Sequence, residues 1–281
     1  MFTYPVRRWF WLSLITALMI LALEFIVGWI GIVIFAFSLF PLLGIIAAII
    51  YPILVVFIMG FWLVFSDFAN ISGVNVVWLR ESEPYAFLLS KAAALARKMN
   101  VDFEKLGVVW TQTVNAFTYG VFRPKIVLYK GLLDNFSEEE IDFVIAHELG
   151  HIKHRWVWFL YCMANAVVIL PLFMPLIVRI FFYFFLIPTR LALLWFSREC
   201  EYIADREAVL ATGNMAAALT ALIKLGKVKG VDIDLRNLSE RDIVEKVVGD
   251  AIASLSTHPL IERRVRELLR FYPYFRKIYR V

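Results

Sequence analysis

The chain has 281 residues, 61% of them apolar and 19% charged, with a formal net charge of +5. Average globular proteins carry roughly a quarter charged residues, so the balance excludes an ordinary soluble globule. Lys and Arg crowd the flanks of apolar blocks (Arg7, Arg8, Lys153, Arg155, Arg198) and the stretch 263–280. With no nucleic-acid-reading motif beside them, they suit anionic lipid headgroups and exclude nucleic acid as a partner.

Residues 9–66 hold a single formal charge, Glu24, and residues 156–196 hold two, Arg179 and Arg190. A bilayer-spanning helix needs about 20 apolar residues, so each block has room for two spans. The first block is too long for the ~7–15-residue core of a signal peptide and lacks a convincing cleavage site, so it reads as a retained anchor. Its spans are expected at about 9–30 and 41–65. The connection between them has no Lys or Arg, which places Arg7, Arg8 and residue 67 on the cytoplasmic side. Glu24 is either a functional intramembrane acid or a side chain reaching for the outer interface.

Between the blocks the composition becomes mixed. Residues 74–79, 108–111, 116–122 and 126–129 read as short strands, and 84–99 as an Ala-rich helix opened by Pro84. Ser137 followed by Glu140 is a capping box. The helix it opens meets no breaker before Pro171, and is expected to run into the bilayer with Trp156 and Trp158 at headgroup level. Beyond the second block, 197–210 reads as helix, Asn214 caps a helix to about residue 228, 239–242 marks another cap, and a last Arg-rich helix begins near Pro259. Cys162 and Cys200 make no disulfide framework; Cys200 is offset by about 100° from Glu201 on a helix and reads as a packed thiol.

The chemistry is concentrated in His147-Glu148-Leu149-Gly150-His151. Residues four apart share a helix face, so both imidazoles can reach one metal ion. Glu148 then lies close enough to handle the proton of a water held there. Two histidines need a third ligand. The Gly and His that follow this motif in metzincins are absent, and His154 lies too far along the same helix. Glu201 is the better candidate. Asp205, four residues on, shares its face and can hold a ligating imidazole by its second nitrogen. Glu199 and Glu207 are expected to point to water. If Glu201 meets the two histidines, residues 156–196 must leave and return to the same side of the membrane. At 1.5 Å per residue they give ~60 Å of helix, twice the ~30 Å hydrocarbon thickness.

These segments together resemble the HtpX-type membrane zinc metalloproteases, relatives of the CAAX prenyl proteases, over nearly the whole length. Asn115-Ala116-Phe117 is similar to the N-A-F segment of that family, and Ser256-Thr257-His258-Pro259 with Arg264 to its S-x-H-P-x-x-x-x-R segment; Tyr119 is a departure. The resemblance implies one Zn²⁺ held by His147, His151 and Glu201, Glu148 as catalytic base, and Asp205 orienting a ligand. It also implies a substrate cleft lined by Asn115, Ala116, Phe117 and Arg264. His258 is either a donor to the developing oxyanion or a helix-start residue, and Arg264 either a substrate contact or an ion-pair partner. As an edge strand, 115–117 can pair with an extended substrate through main-chain hydrogen bonds.

The expectation is therefore a mainly α membrane protein with about four transmembrane helices and a gluzincin-like α+β metalloprotease domain with a small sheet. Its parts are a helix pair (1–66), the first half of the catalytic domain (67–155), a membrane hairpin (156–196) and the second half (197–281). The expected function is zinc-dependent endopeptidase action on membrane or membrane-associated polypeptides, in quality control at the cytoplasmic face of the cell membrane. Processing of one lipidated or signalling substrate, and a catalytically silent zinc-binding scaffold, are the alternatives.

Overall fold

The computed structural model describes residues 8–71, 73–80, 85–120, 122–154, 186–227 and 259–279. The chain divides into two compact units, one formed by Met1–Ser72 with Trp156–Cys200 and the other by Gly73–Arg155 with Glu201–Val281.

In the first unit, α1 (Arg8–Leu39) and α2 (Pro41–Ile71) are separated by Phe40 alone, and Pro41 opens α2 where its missing N–H costs nothing. Both are longer than the spans expected from the sequence. Arg8–Leu39 and Pro41–Ile58 are long and apolar enough to cross a membrane. Apolar side chains such as Met19, Ile34, Phe35 and Phe57 stay exposed, a surface water would penalise and lipid would cover. Trp29 Nε1 donates to the Ala48 carbonyl at 3.1 Å and ties the two helices. The start of α6 (Ile187–Thr212) packs on α1: Ala192 and Leu193 cluster with Ala17, and Phe10 meets Phe196 at 5.6 Å between ring centres. Thr189 donates to the Glu24 carboxylate inside this packing, so Glu24 is buried rather than reaching for an interface. Two expected spans are found; of 156–196, residues 156–185 lie outside the described residues.

In the second unit, β1 (Val76–Trp78), β2 (Lys105–Val109), β3 (Ala116–Tyr119) and β4 (Lys125–Tyr129) form one sheet in the order β1-β2-β4-β3. The β2–β4 pair is parallel and the outer pairs antiparallel. Leu106, Val108, Ile126, Val127 and Leu128 on the two central strands are almost wholly buried, as strands covered on both faces must be. β3 stops earlier than the sequence pattern suggested, because Gly120 turns to φ +90, where an added side chain would meet the Arg123 carbonyl. The helix α3 (Ala86–Met99) follows Tyr85, itself left-handed; Pro84 lies outside the described residues. A short α4 (Lys130–Asn135) was not foreseen.

The unit is built around α5 (Glu138–Lys153). The expected capping box is present: Ser137 N donates to Glu140 Oε2 at 2.8 Å while the Ser137 hydroxyl accepts from Glu140 N. Phe143, Ile145, Ala146 and Leu149 are buried to within 1%, which marks a central helix rather than a surface one. The expected unbroken run to Pro171 is corrected, and residues 155–171 lie outside the described residues. The helix closes at Lys153, where Lys153 and His154 both engage Glu207 on α6. Asn214 caps α7 (Met215–Lys227) by accepting from Ala217 N at 2.8 Å, and α8 (Pro259–Tyr279) is the Arg-rich final helix.

Candidate metal centre

Three helices supply the site. α5 presents His147 and His151 one turn apart, α6 presents Glu201 and Asp205 at the same spacing, and α8 contributes Arg264. The contact of α5 with α6 depends on Gly150, where a Cβ would lie 3.0 Å from the Ala204 Cα. Only a residue without a side chain lets the two backbones come this close.

The two imidazole Nε2 atoms are 3.2 Å apart, and each lies 3.4 Å from one oxygen of the Glu201 carboxylate. Their ligand atoms all fall within 4.8 Å of one another. Tetrahedral zinc with bonds of about 2.0–2.1 Å requires ligand atoms roughly 3.3–3.4 Å apart. The donor set therefore fits such an ion, and two nitrogens with one carboxylate suit zinc better than the oxygen-loving Mg²⁺ or Ca²⁺. His147 is 9% exposed and Asp205 1%, whereas His151 and Glu201 keep 26% and 27%. The cluster is thus closed on one side and open on the other, the arrangement a fourth, exchangeable ligand needs.

Asp205 Oδ1 lies 2.9 Å from His147 Nδ1, which orients the ring and directs Nε2 towards the cluster. Arg264 grips Asp205 with two bonds, Nε to Oδ2 at 2.8 Å and Nη2 to Oδ1 at 2.6 Å, and its Nη1 lies 3.1 Å from Glu201. Burial and the Arg264 charge push the His147 imidazole down, but the hydrogen bonds to Asp205 and Glu201 outweigh them and raise its pKa to about 9. Burial alone would push both carboxyls up; Arg264 and the histidine hydrogen bonds hold Glu201 well below the usual carboxylate range and Asp205 below its own. The same two carboxylates raise the Arg264 guanidinium against the cost of its burial. Arg264 is thus an ion-pair partner within the cluster.

Glu148 is 6% exposed, and its Oε2 accepts from the Thr118 hydroxyl at 2.8 Å. Thr118 lies on β3 with Ala116 and Phe117; Asn115 is exposed just before it, its carbonyl accepting from Tyr129 N. No motif pointed to Thr118, although its neighbours were singled out. His154 takes no part in the metal cluster and stands 3.5 Å from Glu207 instead. Glu199 and Glu207, expected to face water, are 4% and 3% exposed; α6 is buried on more than one face, and Glu207 pairs with Lys153 at 2.7 Å. Cys200 is half-buried and forms no disulfide among the described residues. His258 lies outside the described residues, so the oxyanion assignment stays an expectation.

Two imidazoles and one carboxylate form a group able to hold a single metal ion, with the buried Glu148 beside them in sequence. The profile of peptidase family M48 matches residues 83–271, well over half of the chain, and the chain belongs to that family of metalloproteases. A protease HtpX homolog of Neisseria meningitidis is 27% identical over 220 residues, covering 70% of this chain and 76% of the relative. A protease HtpX homolog of Bacteroides fragilis is 26% identical over 271 residues, covering 82% and 81%. The crystal structure of S. mikatae Ste24p aligns with a TM-score of 0.49 at 18% identity, covering 94% of this chain and 67% of that one.

Proposed function

We propose that the chain is a membrane-anchored, zinc-dependent endopeptidase that cleaves membrane or membrane-associated polypeptides. The observation that carries it is the approach of His147, His151 and Glu201 to 3.2–3.4 Å, with Glu148 next to them in sequence and nearly buried. His147, His151 and Glu201 would hold the ion. When bound, zinc supplies Lewis acidity, polarising a carbonyl and lowering the pKa of water towards ~7. Asp205 keeps the His147 ring in register, and Arg264 keeps Asp205 and Glu201 charged and in place. Glu148 takes the proton of the attacking water and delivers it to the leaving amine. The edge of β3 that is unpaired among the described residues aligns an extended substrate by main-chain pairing.

Further parts of this reading rest on sequence. Residues 67–155 and 197–281 are proposed to form one catalytic domain interrupted by a 156–196 hairpin, giving four crossings with the site on the cytoplasmic side. Quality control of damaged membrane proteins is the proposed duty, supported by similarity to HtpX homologs.

The test is casein cleavage by full-length protein in detergent, beside Glu148→Gln and with measured zinc content. Wild type is expected to cleave, to stop on chelation and to recover with Zn²⁺. Glu148→Gln should keep its zinc and lose at least a hundredfold in rate, the lower end of what a positioned base contributes. Equal rates would remove the base from the mechanism.

A further inference from the structure

Thr118 joins two parts of the proposed machinery that no motif connects. Its hydroxyl donates to Glu148 Oε2 at 2.8 Å, with the Glu148 main-chain oxygen farther off at 3.4 Å. A hydroxyl has one proton to give, and the shorter contact to the charged oxygen takes it. That bond ties Oε2 to β3 and fixes the plane of the carboxylate, while its remaining lone pairs stay available for a proton.

The main chain of the same residue has a second place in the site. Among the described residues β3 is an outer strand, hydrogen-bonded to β4 on one side only. Tyr129 N donates to Asn115 O at 3.1 Å, so residues 115, 117 and 119 turn their main-chain groups towards β4. In an antiparallel ladder the alternate residues turn theirs the other way. Ala116 and Thr118 therefore present N–H and C=O at the open edge. The rings of Phe117 and Tyr119 contact each other at 6.0 Å between centres, on the face opposite Thr118.

We propose that Thr118 is a positioning residue for Glu148: its hydroxyl fixes the orientation of the carboxylate, and its main-chain groups belong to the edge that receives substrate. A peptide paired to β3 is then registered against the base through a single residue. This inference rests on the peptidase reading above.

The experiment compares wild type, Thr118→Val and Thr118→Ser, as full-length protein in detergent, on a quenched fluorescent peptide built around a casein bond that the wild type cleaves. Valine keeps the shape and removes the hydroxyl; serine keeps the hydroxyl. Losing one hydrogen bond to a charged group predicts a fall of about ten- to hundredfold for Thr118→Val. The fall should appear in kcat with KM and zinc content unchanged, and Thr118→Ser should restore kcat to within about threefold, since it regains the same bond. An unaltered kcat in Thr118→Val, or a serine variant as slow as the valine one, overturns the assignment. If wild type is active and Glu148→Gln is not, that result sinks Thr118 alone. If wild type shows no Glu148-dependent cleavage, the peptidase reading falls and takes Thr118 with it.

Discussion

Gly150 and Ala204 are in backbone contact: a Cβ on Gly150 would stand 3.0 Å from the Ala204 Cα and 3.3 Å from its carbonyl oxygen. The histidine pair on α5 and the Glu201–Asp205 pair on α6 flank this point, so the separation of the two helices sets the spacing of the cluster. Gly150→Val is predicted to force them apart. Valine recovers only a few tenths of a kcal/mol of helix propensity, against about 1–3 kcal/mol for overpacking a tight interface. Zinc affinity should fall at least tenfold by chelator competition, and the melting temperature should drop. Wild-type affinity in this variant would show that the helix contact does not govern the site.

Asp205 is the pivot of the buried charges, holding His147 Nδ1 on one side and the Arg264 fork on the other. Asp205→Asn keeps the size of the side chain but removes the charge that Arg264 and His147 both use. Loss of such a supporting group costs about 10–100-fold in metal affinity, and the same competition measurement should register that. Unchanged affinity would place His147 under other control.

Glu207 supplies the pH prediction. Burial alone would push its carboxyl up, but His154 and Lys153 hold it below the ordinary value of 4.5. A folded-state pKa below the unfolded one adds stability that is present in full above the unfolded value. That stability is lost as pH falls from about 4.5 through the folded value. Melting temperatures of wild type and Glu207→Gln, measured from pH 7 to pH 3, should therefore converge on the acid side. Above pH 5 the variant should be less stable by about 1–3 kcal/mol, the cost of leaving Lys153 and His154 without their buried partner. A constant gap across the range would contradict the shift.

What could be read in advance followed local rules. Ser137 and Glu140 predicted the start of α5, Asn214 that of α7, and i,i+4 spacing brought out both His147–His151 and Glu201–Asp205, because these patterns depend on a few neighbouring residues. Thr118 could not be read this way: it is one threonine in a short strand, and its partner is 30 residues away. Glu199 and Glu207 were misplaced for a related reason, since a run of charges on a helix suggests solvent until the helices packed around it are known. α6 begins at Ile187, ten residues before the helix expected from the polar segment, because its apolar start reads as part of a membrane span. Lys130–Asn135 escaped notice as a single turn containing Gly131.

The outer edge of β3, unpaired among the described residues, has a consequence for selectivity. A main-chain ladder cannot tell one side chain from another, and it accepts only a strand whose own amides have already lost their partners. An enzyme that docks its targets this way would ignore sequence and respond to local loss of structure. Healthy neighbours in the same bilayer, with every amide paired inside their helices, would pass it untouched.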